Sequence, residues 1–190
     1  MNIKKDLIDE KMLDIRIKQL GRQISNDYDG DITLICILKG SMYFIADLSR
    51  EIKNNTFIEF IRVSSYEGEN STGEIELKVG LDENLTGKDV IIVEDIVDTG
   101  YTLSYLIKYL NKQNPKSLKV CTLLDKPDRR KEHDLIVDYV GFSIPNYFVV
   151  GYGLDFNQKY RNLKDIECFL ESDEDIAEIE KAKKIIKSNL

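Results

Sequence analysis

The sequence predicts an α/β fold, a mainly parallel sheet flanked by helices. Three observations carry that expectation. Short apolar runs rich in β-branched residues, at Ile32–Leu38, Asp89–Glu94 and Leu118–Leu124, have the length and composition of strands buried on both faces. Helix-period segments stand between them. Each run is followed by a polar turn, and strands that alternate with helices in this way pair in parallel through helical crossovers.

In chain order, Leu13, Ile17, Leu20 and Ile24 recur at helical spacing, with Asp9 placed to cap that helix and Gly30 and Asp31 to end it. The run Ile32–Leu38 leads into Lys39, Gly40 and Ser41 and then a helical pattern through Arg50. Phe57–Ser65 reads as a second strand. Tyr66–Gly73 is small and polar with no apolar anchor, so a mobile loop is expected there. Glu74–Lys78 alternates as a returning strand would, and Asn84–Lys88 is a turn. After the strand at Asp89–Glu94 come a helix at Thr102–Asn111, a turn at Pro115 and the strand at Leu118–Leu124. Tyr139–Ser143 and Tyr147–Val150 are short β candidates. Asp173–Ser188 is a charged helix with Ile176, Ile179, Ala182 and Ile186 on one face, able to dock on the body or on a partner. With no repeat, low-complexity stretch or linker in view, residues 1–190 are expected to form one domain, 173–190 being a charged helical tail of open role.

The net charge of −7 over 190 residues argues against a sequence-independent grip on nucleic acid, which needs a basic face. It leaves room for an anionic small substrate, because a local cluster or a metal ion can invert the field inside one cleft. Cys36, Cys121 and Cys168 are isolated, as inert buried thiols would be. No apolar run approaches the ~20 residues that span a bilayer, and the first residues lack an apolar signal segment, so a cytoplasmic location without membrane attachment is expected. His133, the only histidine, sits in a charged stretch and reads as a surface residue, which leaves no histidine-based triad. The glycine-rich nucleotide signatures also fail: Gly87-Lys88 lacks its upstream glycine and following hydroxyl, and Gly151-Tyr152-Gly153 is followed by Phe156 where a dinucleotide fingerprint needs glycine.

The informative stretch is Val90–Leu103, VIIVEDIVDTGYTL. It is a strand, a tight loop and a helix start. The amides of Thr99, Gly100, Tyr101 and Thr102 would point outward without partners, and with the helix dipole they form an anion site suited to one phosphate. Three carboxylates facing that phosphate would repel it, so Glu94, Asp95 and Asp98 must face something else. Vicinal sugar hydroxyls suit Glu94 and Asp95, since a carboxylate accepts two hydroxyl hydrogen bonds. Asp98 is left for proton transfer or a metal. The plainer alternative is that these acids only cap the next helix.

The motif resembles that of the type I phosphoribosyltransferases. Four further segments, ILKGS at Ile37–Ser41, SSY at Ser64–Tyr66, LLDKPDRR at Leu123–Arg130 and PNYFVVGYGLDFNQKYRNL at Pro145–Leu163, resemble the hypoxanthine-guanine branch in order and spacing. That resemblance covers roughly Leu34 to Leu163 and implies the family fold, with a small hood built from the chain ends. It implies transfer of ribose 5-phosphate from phosphoribosyl pyrophosphate (PRPP) to a 6-oxopurine, with Mg²⁺ as cofactor and Asp98 as the catalytic base. Glu94 and Asp95 would hold the ribose, and residues 98–102 its 5-phosphate. Lys39, Gly40 and Arg161 would contact pyrophosphate, with the Leu38–Lys39 peptide cis, and Ser65 and Tyr66 would belong to a closing catalytic loop. Lys126, Phe148, Val149 and Asp155 would bind the purine, and Asp155, Glu94 and Asp95 would serve the metal. Lying beside two other acids, Asp98 is expected to be a stronger base than a free aspartate. A homodimer or homotetramer is implied as well. The alternatives are a regulatory nucleic-acid-binding protein on the same fold and a transferase for xanthine. Tyr101 departs from the lysine or asparagine of some relatives, and the chain after Leu163 departs from the usual short ending.

Overall fold

The computed structural model describes residues 3–65, 75–170 and 172–190, so Tyr66 and the loop expected at Tyr66–Gly73 lie outside the described residues. The elements are β1 (Ile3–Ile8), α1 (Glu10–Asp27), β2 (Ile32–Leu38), α2 (Met42–Glu51), β3 (Thr56–Ser65), β4 (Ile75–Val79), β5 (Asp89–Val97), α3 (Tyr101–Asn111), β6 (Ser117–Asp125), β7 (Tyr139–Ser143), β8 (Val149–Val150), β9 (Ile166–Leu170) and α4 (Asp173–Ser188).

The main sheet has six strands in the order β4-β3-β2-β5-β6-β7. All pair in parallel except β4, which returns antiparallel along β3, so the predicted fold class is the observed one. Alternate residues of the central strands feed opposite cores. Leu34, Cys36, Ile91 and Val93 pack with Leu13, Ile17 and Leu20 of α1 and Phe44 and Leu48 of α2. Ile35, Ile37, Val90 and Ile92 pack with Leu103, Leu106 and Leu110 of α3. Cover on both faces is the reason these strands are unbroken apolar runs. Asp9 caps α1 as expected, its carboxylate accepting from the Met12 amide at 2.9 Å, and such a cap is worth about 1 kcal/mol.

The chain ends build a second, three-stranded antiparallel sheet in the order β1-β9-β8, the hood. The helix α4 docks on it: Ile179, Ala182 and Ile186 are buried in the same core as Ile166, Cys168 and Leu170. Lys5 pairs with Glu180 at 2.7 Å, and the Tyr147 hydroxyl donates to Glu178. The tail therefore covers the body of its own chain.

Some boundaries differ from the sequence expectation. β5 runs on to Val97, so Glu94 and Asp95 belong to its end and not to a loop. β8 holds only Val149 and Val150. β1 and β9 are strands that the sequence reading left out. For β9 a signal existed, since Ile166, Cys168 and Leu170 are buried in alternation with Glu167 and Phe169. β1, IKKDLI, carries three consecutive charged residues and is held in strand form by pairing with β9.

The strand order positions the site. From β2 the chain moves outward to β3, and from β5 it moves the other way to β6 and β7. The reversal opens a crevice at the carboxyl ends of β2 and β5. Lys39 and Gly40 leave β2 there, and Asp98 to Thr102 leave β5 there.

Candidate active site

Gly100 caps α3 with φ of 89°, a left-handed conformation that glycine adopts without strain. None of the amides from Thr99 to Leu103 has a hydrogen-bond partner among the described residues. These are the amides that the sequence reading assigned to an anion. The loop is braced from behind. The Thr99 carbonyl accepts from the amides of Lys131 and Glu132 at 3.0 and 3.2 Å. A Cβ on Gly100 would lie 2.9 Å from Leu135 and 3.3 Å from Arg130. The plainer reading, in which the acids cap α3, fails because α3 has no side-chain cap.

Three loops close on one another beside it. The Leu38–Lys39 peptide is cis. A Cβ on Gly40 would lie 1.5 Å from Oδ2 of Asp95, and one on Gly153 would lie 2.0 Å from the Gly40 carbonyl oxygen. Only glycines allow this approach, which brings the end of β2, the end of β5 and the Gly151–Asp155 turn into one wall. The Lys39 ammonium reaches across to Gln158 Oε1 at 3.3 Å.

Glu94 and Asp95 lie at the centre of that wall. Burial, then the negative charge of Asp95, pushes the Glu94 carboxyl well above its usual range. Burial also raises Asp95, an effect opposed by hydrogen bonding and by the Arg161 charge. Glu94 Oε2 is out of solvent and has no hydrogen-bond partner. A buried acceptor left this way is costly unless a ligand supplies the donor.

Asp98 has neighbours other than those expected. It sits with two cations, not with the two acids: Arg129 Nε lies 2.9 Å from Oδ1 and Lys126 Nζ lies 3.8 Å from Oδ2. The reason is register. The Lys126 amide bonds to the Val97 carbonyl at 3.0 Å, so the turn after β6 is laid directly over the turn after β5. Lys126 is 6% exposed, and burial pulls its ammonium below the usual lysine range. Sequence reasoning assigned no role to Arg129 or to Arg130, which pairs with Asp125; the only signal was the adjacent basic pair after Lys126.

Arg161 and Asp155 face each other. Arg161 bonds to the Asp155 carboxylate at 2.7 Å and to the Gly153 carbonyl at 2.7 Å. Among the described residues, no three acidic, histidine or cysteine side chains gather into a metal set, so Asp155, Glu94 and Asp95 do not form a protein cage. Phe148 is 51% exposed, which excludes simple core packing, while Val149 is buried in β8. Ser65 is the last residue of β3. His133 is exposed and the three cysteines are buried, as expected.

A glycine-capped loop with unpartnered amides at the switch point of a parallel sheet, together with a second small sheet that joins the two chain ends, defines a class of protein. The chain belongs to the phosphoribosyltransferase family, matching the phosphoribosyl transferase domain over residues 6–157. Within it the chain resembles the hypoxanthine-guanine members. It is 50% identical over 163 residues to the hypoxanthine phosphoribosyltransferase of Buchnera aphidicola, covering 84% of this chain and 92% of that one. It is 46% identical over 173 residues to the hypoxanthine-guanine phosphoribosyltransferase of Mycobacterium avium, covering 87% and 85%. Among solved structures, the Bacillus anthracis hypoxanthine-guanine phosphoribosyltransferase superposes with a TM-score of 0.83 at 48% identity, covering 90% of this chain and 99% of that one. The Trypanosoma cruzi hypoxanthine phosphoribosyltransferase in complex with its product IMP gives 0.81 at 40% identity, covering 87% and 94%. No helix among the described residues is long and apolar enough to cross a membrane.

Proposed function

We infer that the chain is a cytoplasmic purine salvage enzyme that transfers ribose 5-phosphate from PRPP to hypoxanthine, and to guanine, with release of pyrophosphate. The observation that carries the base assignment is the Lys126–Asp98 pair, a donor and an acceptor 3.8 Å apart beside the anion loop. A 6-oxopurine presents the complementary edge, with the O6 acceptor next to the N7 donor. Adenine presents an amino donor in place of O6, and an ammonium cannot accept from it.

In this reading, the amides of Thr99 to Thr102 hold the 5-phosphate. Glu94 and Asp95 accept from the ribose hydroxyls, which supply the donor that Glu94 Oε2 lacks. The bond from C1 of the ribose to pyrophosphate breaks, its electron pair leaving with the pyrophosphate, and N9 of the base closes on C1. The proton on N7 passes to Asp98, while Lys126 donates to O6. Lys39 and Arg161 neutralise the departing charge, and Gly40 lets the backbone approach it. Phe148 stacks on the base and the Val149 backbone reads its edge.

The carboxylates fit magnesium in the form it prefers, one or two protein oxygens with the remainder from substrate phosphate and water. The half-buried Glu94 and Asp95, both raised above the ordinary carboxyl range, would gain from a cation nearby. When bound, magnesium supplies positive charge to the pyrophosphate, with Asp155, Glu94 and Asp95 as its candidate holders. By the same family reading the chain assembles as a homodimer or homotetramer, which sedimentation equilibrium measures directly.

Steady-state turnover with hypoxanthine, guanine, xanthine and adenine tests the assignment. Hypoxanthine or guanine should rank first, and adenine in first place would overturn the role of Lys126. Asp98→Ala should lower kcat by about 10²–10⁴, the range for a lost general base; unchanged turnover would remove that role.

A further inference from the structure

We propose that Phe169 of β9, together with Phe156, is a positioning residue for the purine: it holds the Phe148 ring so that a face of that ring is presented to the base. The inference rests on the reading of Phe148 as the stacking ring. Three rings form a closed triangle. Phe148 meets Phe156 at 5.6 Å between centroids with planes at 81°, and Phe169 at 6.0 Å with planes at 41°. Phe156 and Phe169 meet at 5.9 Å and 60°, and Phe169 is backed in turn by Tyr160 at 5.9 Å and 72°. Every contact is tilted or edge-on, so none of these rings lies flat against Phe148 and a face remains for a planar ligand.

The backbone sets the same arrangement. The Phe169 amide donates to the Phe148 carbonyl at 3.1 Å, and Val149 is registered opposite Cys168. Alternation along β9 buries Ile166, Cys168 and Leu170 in the core that includes α4, which turns Phe169 to the other face. Ordinary packing does not account for the cluster, because Phe148 and Phe156 leave 51% and 48% of their surfaces exposed. A half-exposed phenylalanine without neighbours would lose rotamer freedom on stacking; here that freedom is removed before the base arrives. Phe169 lies beyond the segment matched by the family domain, which ends at residue 157.

The test is a set of steady-state measurements on Phe148→Leu, Phe169→Leu, Phe156→Leu and the Phe148→Leu/Phe169→Leu double variant, each with its melting temperature. Phe148→Leu should raise the KM for hypoxanthine roughly tenfold, the scale of a lost base–aromatic stack. Phe169→Leu, which keeps apolar bulk but loses the ring, should raise it about two- to tenfold, the scale of one aromatic pair. The KM for PRPP should stay unchanged in both, and Phe169→Tyr should restore the parent value. The double variant should be no worse than Phe148→Leu alone, since Phe169 acts through that ring. If Phe148→Leu raises the KM while Phe169→Leu and Phe156→Leu do not, or if the effects multiply in the double variant, the positioning role falls and the stacking role of Phe148 stands. If Phe148→Leu leaves the KM unchanged, the stacking reading falls and this inference with it. Should Phe169→Leu not fold, Phe156→Leu carries the same comparison from a half-exposed position.

Discussion

Between Arg129 and Lys126, the Asp98 carboxylate is held 2.9 Å from one cation and 3.8 Å from the other. Glu94 has the opposite surroundings, burial and a second acid. The two therefore differ in what they can do, although they stand four positions apart in one motif. Because the folded state raises the Glu94 pKa, it holds a proton more tightly than the unfolded chain does. Its contribution to stability is fully present below the ordinary glutamate range near about 4.3 and is lost as pH rises through the folded value. Glu94→Gln cannot ionise, so it should match the parent in thermal melts at pH 4, exceed it at pH 8, and lose activity through the weakened hold on the ribose. Equal melting at pH 8 would contradict this account of the site. A second outcome follows from the glycine contacts. Gly153→Ala places a Cβ 2.0 Å from the Gly40 carbonyl at φ of 101°, whereas Gly30→Ala meets nothing within 4 Å. The first should cost about 1–3 kcal/mol of stability and raise the KM for PRPP, and the second should do neither; denaturant titration with kinetics compares them.

At the scale of elements, α4 and β9 carry the hood. The helix begins with a reciprocal capping box between Ser172 and Asp175 and buries Ile179 completely. Ile179→Ala should cost about 2–4 kcal/mol, the usual range for a core isoleucine truncated to alanine. The loss should be local first, because the hood is a small sheet pinned by the tail. Amides of β1 and β9 should exchange faster in hydrogen-exchange measurements while those of β5 and β6 keep their protection. Uniform acceleration across all strands would mean that the hood and the main sheet open as one unit. The same helix shows how the sequence can reveal an element without its address. The spacing of Ile176, Ile179, Ala182 and Ile186 predicts an apolar face, but the surface that receives it is made by β1 and β9, which come together from opposite chain ends.

For the whole molecule, a net charge of −7 stands beside a substrate that is itself strongly anionic. The fold resolves this by gathering cations locally: Lys39 leaves β2, Lys126 and Arg129 follow β6, and Arg161 reaches the wall formed by the Gly151–Asp155 turn. Binding there should stabilise the fold by mass action, by about 2.7 kcal/mol at a hundredfold excess over Kd. For a chain of this size that corresponds to a rise in melting temperature of roughly 5–10 °C with PRPP and magnesium. Thermal melts with and without that ligand pair read the shift directly, and no shift at saturating PRPP would argue against the site.

The class of fold, the positions of the central strands and the strand–loop–helix turn around Gly100 were legible in the sequence. Each rests on local order: a short unbroken apolar run, a period of 3.6, or a strand that turns into a helix around one glycine. The family resemblance added the purine and pyrophosphate residues as names. Other features depended on chain segments far apart in number. Tertiary structure pairs β1 with β9 and places Asp98 among cations instead of acids. It keeps Asp155 paired with Arg161 and out of a three-carboxylate cluster, packs Gly40 against Asp95, and leaves Phe148 half-exposed within a triangle of rings. The physical reason is that the charge, burial and orientation of a side chain are set by its neighbours in space. Those neighbours are supplied by strand register and loop packing, which no local pattern encodes.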